Sequence, residues 1–355
     1  MAAWTWLLPA LSFALLIGGL AAGVGPLLSI VCAAALIGAV IAAVHHAEVI
    51  AHRVGEPFGT LVLAVAVTII EVALILSVVL AGGPDAATLP RDTIYAAIMI
   101  ICNGVVGLCV LVGGLVHHEQ SFHEEGSSAG LAALIALSAF ALVLPTFTTT
   151  TSGGTYSTAQ LAFVAFTSAA LWAVYVFTQT IRHRDYFLPP VDASSQNAHA
   201  APPTNRQAWI SFALLIVSLV SVVGLAKLLS PVIEHVVDQA RAPKAVIGIA
   251  IATLVLLPET WAAVRAAHAN RLQTSMNLAL GSALATIGLT IPVVALTAIV
   301  LRIPLVLGLG PKDLVMLAVT LLLSSVTLGT GRTHMMQGAV HLVVFAAFLF
   351  LAFLP

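Results

Sequence analysis

Residues 60–80 read TLVLAVAVTIIEVALILSVVL, and residues 246–264 read VIGIAIATLVLLPETWAAV. Each run is long enough to cross the hydrocarbon core of a bilayer, which takes about 20 apolar residues as a helix. Each carries one acid at depth, Glu71 in the first and Glu259 in the second, while the other twelve Asp and Glu residues fall at span ends or in connections. A carboxyl near the bilayer midplane is costly, so a chain that keeps one commonly uses it in an ion or proton path. Two such positions, one in each half of the chain, point to transport.

The composition carries the same message over the whole length. Of 355 residues, 60% are hydrophobic and 8% are charged, against about 25% charged in a soluble domain. The mean hydropathy is +1.10. Thirteen Lys and Arg against fourteen Asp and Glu leave a net charge of −1, and no basic run points to nucleic acid. Cys32, Cys102 and Cys109 lie in apolar spans without a metal-binding spacing and read as buried free thiols.

Eleven segments meet the length test for a spanning helix: 4–22, 26–44, 57–81, 94–115, 130–145, 159–181, 208–229, 243–264, 274–301, 310–329 and 335–353. Segment 130–145 is short, and 274–301 is long enough to be tilted, kinked or broken. Trp4, Trp6, Tyr95, Tyr186 and Trp209 lie at span ends, where interfacial aromatics belong. The first span lacks a basic leader, so it reads as a retained helix. The predicted fold class is an all-α polytopic membrane protein of about 11 transmembrane helices. The one sizeable polar stretch, 182–207, is rich in Pro, Ala, Ser and Asn and reads as a linker. Its position divides the chain into an additional first helix (1–25), a first repeat (26–181), the linker and a second repeat (208–355). Residues 230–242 carry Val232, Ile233, Val236 and Val237 at helical spacing, which fits a short interfacial helix or a solvated loop.

Charge bias barely separates the two orientations. Arg53, Arg182, Arg184, Arg206, Arg265, Arg271 and Arg332 fall on one side, and Arg91, Lys227, Arg241, Lys244, Arg302 and Lys312 on the other. The tight clusters at Arg182, Arg184 and at Arg265, Arg271 favour a cytoplasmic amino terminus in a bacterial inner membrane. The third and eighth spans cross in opposite directions. At ~1.5 Å rise per residue, each glutamate lies ~20–25 Å from the end where its own span begins. Both carboxyls are therefore expected near the middle, the arrangement of two inverted five-helix repeats with an ion site at their interface.

The neighbours of the glutamates add candidate ligands. Thr68 lies at i−3 from Glu71, on the same helix face. Pro258 has no amide hydrogen and frees a carbonyl near residue 254, which in lipid must find a partner. The span after each glutamate carries small polar residues: Asn103 and Gly104 in CNGVVGLCVLVGG, then Asn277, Gly281, Ser282, Thr286 and Pro292 in MNLALGSALATIGLTIP. Such residues pack helices closely, or a kink at Gly281-Ser282 offers carbonyls and a hydroxyl to a cation.

GSALATIGLTIP resembles the second-repeat signature of the calcium/cation antiporter superfamily, which runs Gly-Ser-x-x-Gln-Ile-x-x-x-x-x-Pro. LLPETWAAVRAA with NLALGSALA, and GEPFGTLVLAVAVTIIEVALI with RDTIYAAIMII, are similar to its bacterial ChaA-type cation/proton branch. The resemblance spans roughly 45–350, and the glutamate segments are its specific part. It implies that each repeat supplies one essential acid to a central cation site where protons compete, here Glu71 and Glu259. The chain departs from the pattern in places. Gly-Asn-x-x-Glu becomes Val67-Thr68-Ile69-Ile70-Glu71 and Val255-Leu256-Leu257-Pro258-Glu259, and Ala285 stands where the signature has glutamine. The first repeat has Asn103-Gly104 in place of Gly-Ser, and 182–207 lacks an acidic segment. Fewer oxygen ligands at depth imply a site that takes Na⁺ or K⁺ as well as Ca²⁺.

Histidine is the second anomaly, with twelve in the chain. His45, His46 and His52 accompany Glu48, and His117, His118 and His123 accompany Glu119, Glu124 and Glu125; both groups fall on the face taken as cytoplasmic. A solvated loop, a pH-sensing cluster and a transition-metal site are all compatible with them. The metal reading leads to a different class, a membrane-embedded His-rich metalloenzyme of the desaturase or hydroxylase kind. The spacings here lack His-x-x-His-His boxes, and that reading leaves Glu71 and Glu259 unexplained.

The expectation is a secondary transporter, not an enzyme, that exchanges Ca²⁺, Na⁺ or K⁺ for H⁺. Glu71 and Glu259 hold the transported cation or protons, with Thr68, Asn103, Asn277, Gly281 and Ser282 as candidate neutral ligands. No cofactor is expected. The partners are inorganic cations, protons and the lipid bilayer, without nucleic acid, and self-assembly is left open.

Overall fold

In hydrocarbon every backbone N–H and C=O must be satisfied within the protein, and a helix does this inside one segment. The computed structural model describes residues 3–23, 25–55, 58–188, 203–239 and 243–354, and these are overwhelmingly helical. In chain order the helices are α1 (Trp4–Ala22), α2 (Pro26–Val54), α3 (Phe58–Gly82), α4 (Leu89–His117), α5 (Glu124–Phe147) and α6 (Thr158–Arg182). They are followed by α7 (Asn205–Gln239), α8 (Ala245–His268), α9 (Leu272–Leu301), α10 (Pro311–Leu328) and α11 (Met335–Phe353). All eleven predicted spans are present, each long and apolar enough to cross a membrane.

Four boundaries differ from the sequence reading, and of the readings tilted, kinked or broken for 274–301 the break is absent. Helix α2 runs ten residues past Val44, so His45, His46, Glu48 and His52 are helical and the solvated-loop reading fails for them. Residues 230–239 are neither a separate interfacial helix nor a loop but the end of α7, with Pro231 inside it. The Val232, Ile233, Val236, Val237 spacing there continues the helical pattern. Helices α4 and α5 begin five and six residues before their predicted starts. Helix α9 passes through Gly281-Ser282 and Pro292 without a break. Most of the predicted linker, 189–202, lies outside the described residues. Of its flanks, Arg184–Phe187 forms a short 3₁₀ turn, and Asn205 already belongs to α7.

The chain divides into two compact units, residues 1–86 with 199–255, and residues 87–198 with 256–355. In the first, α2 packs on α1, α3 and α7. The reason is a stripe of small side chains at four-residue spacing, Ala35, Ala39, Ala43 and Ala47, all buried, which lets neighbouring backbones approach closely. Ile70, Val222 and Leu225 complete that core. Polar side chains there bond to backbone carbonyls: Ser12 Oγ donates to Ala35 O (2.9 Å) and His46 Nε2 meets Thr5 O (2.9 Å).

In the second unit α9 is the buried centre, with α4, α5 and α6 packed on it and residues 256–268 of α8 beside it, tied by Ser275 Oγ to Ala263 O. Helix α4 widens at Ile100–Val105 into a π-helical turn, and α5 does so at Ala139–Val143. One end of this unit carries a two-stranded antiparallel ladder, β1 (Glu119–Ser121) paired with β2 (Arg332–His334). At other points the extended segment 303–310 is fastened by Val306 N to Ala87 O (3.1 Å), Gly308 N to Gly154 O (2.8 Å) and Leu309 N to Leu142 O (3.0 Å). The crossing of α4 and α11 is tight, because Gly104 faces Phe345, Gly107 faces His341 and Leu342, and Gly338 faces the backbone of Leu111.

Candidate functional site

Glu259 sits in the middle third of α8. Helices α8 and α9 form a hairpin whose turn is Ala269-Asn270-Arg271, with Asn270 in the left-handed region (φ 57°). Arg271 N closes the turn on Ala266 O at 2.9 Å, and Ser275 Oγ clips the helices together on Ala263 O at 2.7 Å. Glu259 lies eleven residues before Asn270 and Ser282 twelve after it. At ~1.5 Å per residue the two therefore reach the same depth, ~16–18 Å from the turn. The Ser282 hydroxyl donates to the Glu259 carboxylate.

A small pocket surrounds this pair. Ala263, Thr260 and Leu256 of α8, Leu278 and Ala279 of α9, and Ile101 and Val105 of the α4 π-turn line it with Glu259 and Ser282. The walls are almost wholly apolar. The oxygens of Glu259 and Ser282 are groups of the kind that suit a hard cation. Gly281 leaves open space beside Ser282, since a Cβ at that position would meet nothing within 4 Å. Thr260, which the sequence reading passed over, lies in the pocket, and its hydroxyl donates to Leu256 O at 2.7 Å.

Glu71 sits in the middle third of α3 and is 2% exposed. Thr68, one turn before it, is buried, and its hydroxyl donates to Ala64 O (2.8 Å) within the same helix.

The remaining candidates are engaged elsewhere. Asn103 is fully buried in the π-turn, where its Nδ2 donates to Thr320 Oγ1 (2.9 Å) and its Oδ1 meets His341 Nδ1 (3.2 Å). Asn277 Nδ2 donates to Phe187 O (2.6 Å), and its Oδ1 accepts from Gln273 Nε2 (2.9 Å). Neither amide lines the Glu259 pocket. His341, Thr320 and Thr327 are polar side chains that the sequence reading did not single out. His341 is an ionisable side chain within a span, which is signal enough to flag it.

The histidine groups are differently placed. His46 is buried, and His45 lies against Trp4 with ring centroids 4.9 Å apart. In the second unit His117 Nε2 meets His268 O (2.8 Å), the His123 amide donates to Gln273 Oε1 (2.6 Å), and His118 is exposed. Among the described residues no three His, Cys, Asp or Glu side chains come together as a metal-holding group, so the metalloenzyme alternative gains no support.

Eleven spans, an acid at mid-span in α3 and in α8, and a hydroxyl on the second acid define a class of integral membrane proteins. The chain belongs to the sodium/calcium exchanger protein family, whose sequence profile matches residues 24–181 and again residues 210–354. It is 47% identical to the putative ionic transporter y4hA of Sinorhizobium fredii, covering 99% of this chain and 96% of that one. It is 38% identical to the sodium-potassium/proton antiporter ChaA of Escherichia coli, covering 87% of this chain and 84% of that one. Among solved structures, native YfkE aligns with a TM-score of 0.74 at 19% identity, covering 99% of this chain and 100% of that one. The H⁺/Ca²⁺ exchanger CAX aligns at 0.72 and 14% identity, covering 98% and 87%. At such identities the last two speak to the fold alone.

Proposed function

We propose that this protein is a secondary active transporter of the inner membrane that exchanges a cation, Ca²⁺ or Na⁺/K⁺, for protons. Glu71 and Glu259 are the acids that hold cation and protons in turn. The observation that carries the reading is the Glu259 carboxylate, held by the Ser282 hydroxyl in an apolar pocket within a membrane span. Oxygen ligands suit hard cations, and a carboxyl can hold either such a cation or a proton. One carboxyl can therefore trade metal for proton. Membership of the exchanger family and the antiporter names of the relatives from Escherichia coli and Aphanothece halophytica support the same reaction. The double match of one family profile supports two related halves, 26–181 and 208–355, with α1 additional. We take the amino terminus as cytoplasmic on the Arg clusters alone. The test is proton-gradient dissipation in inside-out vesicles with Ca²⁺, Na⁺ and K⁺ added in turn; no response to any of them sinks the proposal.

Selectivity follows from how few neutral oxygens the pocket offers. A calcium site takes ~6–8 oxygens, and the amides of Asn103 and Asn277 are engaged with protein groups. Ser282 is then the chief neutral side-chain ligand among the candidates, with freed backbone carbonyls and water. Ser282→Ala is expected to raise KM for Ca²⁺ more than for Na⁺, because the divalent ion demands more ligands. Equal changes for both ions would assign Ser282 to orienting Glu259 alone. Asn103→Ala, in contrast, is expected to change both ions alike.

A pH-sensing role is proposed for the histidines as a separate matter. The His117, His118, His123 group is the cleaner arm, since His46 is built into the α2 core. Replacing all three by Gln is expected to move the pH–activity midpoint without altering cation preference, and an unchanged profile removes them from regulation. The same test on His45 and His52 checks the first group.

A further inference from the structure

The polar network around His341 of α11 lies outside the assigned site and yet touches its wall. His341 is 0% exposed, and both ring nitrogens are hydrogen-bonded, Nδ1 to Asn103 Oδ1 (3.2 Å) and Nε2 to Thr327 Oγ1 (3.0 Å). The proton positions follow from the chain of donors. Thr320 donates its hydroxyl hydrogen to Met316 O (2.8 Å), so it can only accept from Asn103 Nδ2 (2.9 Å). That orients the amide and turns Oδ1, an acceptor without a proton, toward the imidazole. His341 Nδ1 must therefore be the donor. In the neutral ring Nε2 is then the acceptor and takes the Thr327 hydroxyl hydrogen.

This network is anchored on the π-turn of α4. A π-turn fits one extra residue into the helix and is found mostly as a single turn at functional sites. Here Asn103 of the turn binds α10 and α11, while Ile101 and Val105 of the same turn wall the pocket of Glu259 and Ser282. Gly107 makes the contact sterically available: a Cβ there would lie 3.0 Å from the Cβ of His341.

We propose that His341 is a positioning residue for cation exchange. Its Nδ1–H bond to Asn103 holds the π-turn in the register that sets Ile101 and Val105 against Glu259, and so fixes the cation affinity of that site. It touches neither cation nor carboxylate. The inference rests on the assignment of Glu259 as a cation-binding acid.

The test uses the full-length protein in inside-out vesicles, with rates divided by the amount of folded transporter. His341→Phe keeps the ring volume and removes both bonds; KM for the transported cation is expected to rise roughly tenfold, the fold-change that goes with one lost buried hydrogen bond. The maximal rate per folded transporter stays within about twofold, as a change in pocket shape rather than chemistry requires. Asn103→Leu gives the same rise, and the double variant is no worse than either single one, because both break one unit. His341→Asn, whose amide nitrogen takes the place of Nδ1, brings KM back to within about threefold of the native value. An unchanged KM in His341→Phe, a His341→Asn variant no better than Phe, or multiplying effects in the double variant would each overturn the inference. Should the Phe variant fail to fold, Asn103→Leu compared with His341→Asn gives the same decision. Glu259→Gln in the same assay separates the two layers. If it transports normally, the site assignment falls and this inference with it. If it is silent while His341→Phe keeps its native KM, only the His341 inference falls.

Discussion

Vesicles carrying Glu259→Gln or Glu71→Gln are expected to show no cation-dependent collapse of a proton gradient, a loss of at least ~100-fold. Removing one partner of a buried charge pair costs ~3–5 kcal/mol, and each ~1.4 kcal/mol is a decade in affinity. Glutamine is also the permanently neutral version of the protonated acid, so it can neither attract the cation nor release a proton. The substitution is a clean one at Glu259, because an amide oxygen can still accept the Ser282 hydroxyl. The membrane content of the variant should therefore match the native protein. Aspartate keeps the charge but retreats by one methylene, and partial activity is the expected result. Normal transport by both Gln variants would end the proposed mechanism.

The second large effect is structural and lies at the crossing of α4 and α11. A Cβ on Gly338 would stand 2.4 Å from Leu111 N and 2.8 Å from Gly107 O. Overpacking costs ~1–3 kcal/mol where side chains can yield; here the obstacle is backbone, which moves only if the helices part. Gly338→Val is expected to reach the membrane in much reduced amount and to elute as aggregate in detergent. Gly18→Ala is the control, since a Cβ on Gly18 meets nothing within 4 Å, and its profile should be native. A monodisperse, abundant Gly338→Val would mean that the two helices do not depend on this contact.

The number of spans and the depth of both acids were legible because hydropathy and charge are summed over ~20 residues and the membrane permits few alternatives. What was hidden is local and depends on partners. The extension of α2 through His45, His46 and Glu48 looks polar in sequence, yet Trp4 and Thr5 of α1 give two of those side chains a place to go. Pro231 reads as a helix stop, and α7 simply continues through it. The π-turn at Ile100–Val105 leaves no mark in composition, because it shifts backbone partners without asking for a residue type. Asn103 carried the right signal, a buried polar residue beside glycine, with the wrong partner attached: its amide meets Thr320 and His341, both more than 200 positions away. Ser282, by contrast, was readable from the sequence, and the α8–α9 turn explains why it meets Glu259.

The β1–β2 ladder has a mechanical consequence. It joins the connection after α4 to the connection before α11, and Gln120 within it reaches Ala267 O and Asn270 Oδ1 at the turn of α8 and α9 (2.9 Å each). The ends of six helices are thus riveted together through two strands of three residues each. Segment 303–310 adds a second set of fasteners through Ala87, Leu142 and Gly154. The two sets of bonds tie the ends of these helices to one another. On the proposed function, Glu259 and Ser282, joined to each other beyond the clipped α8–α9 turn, are expected to move together.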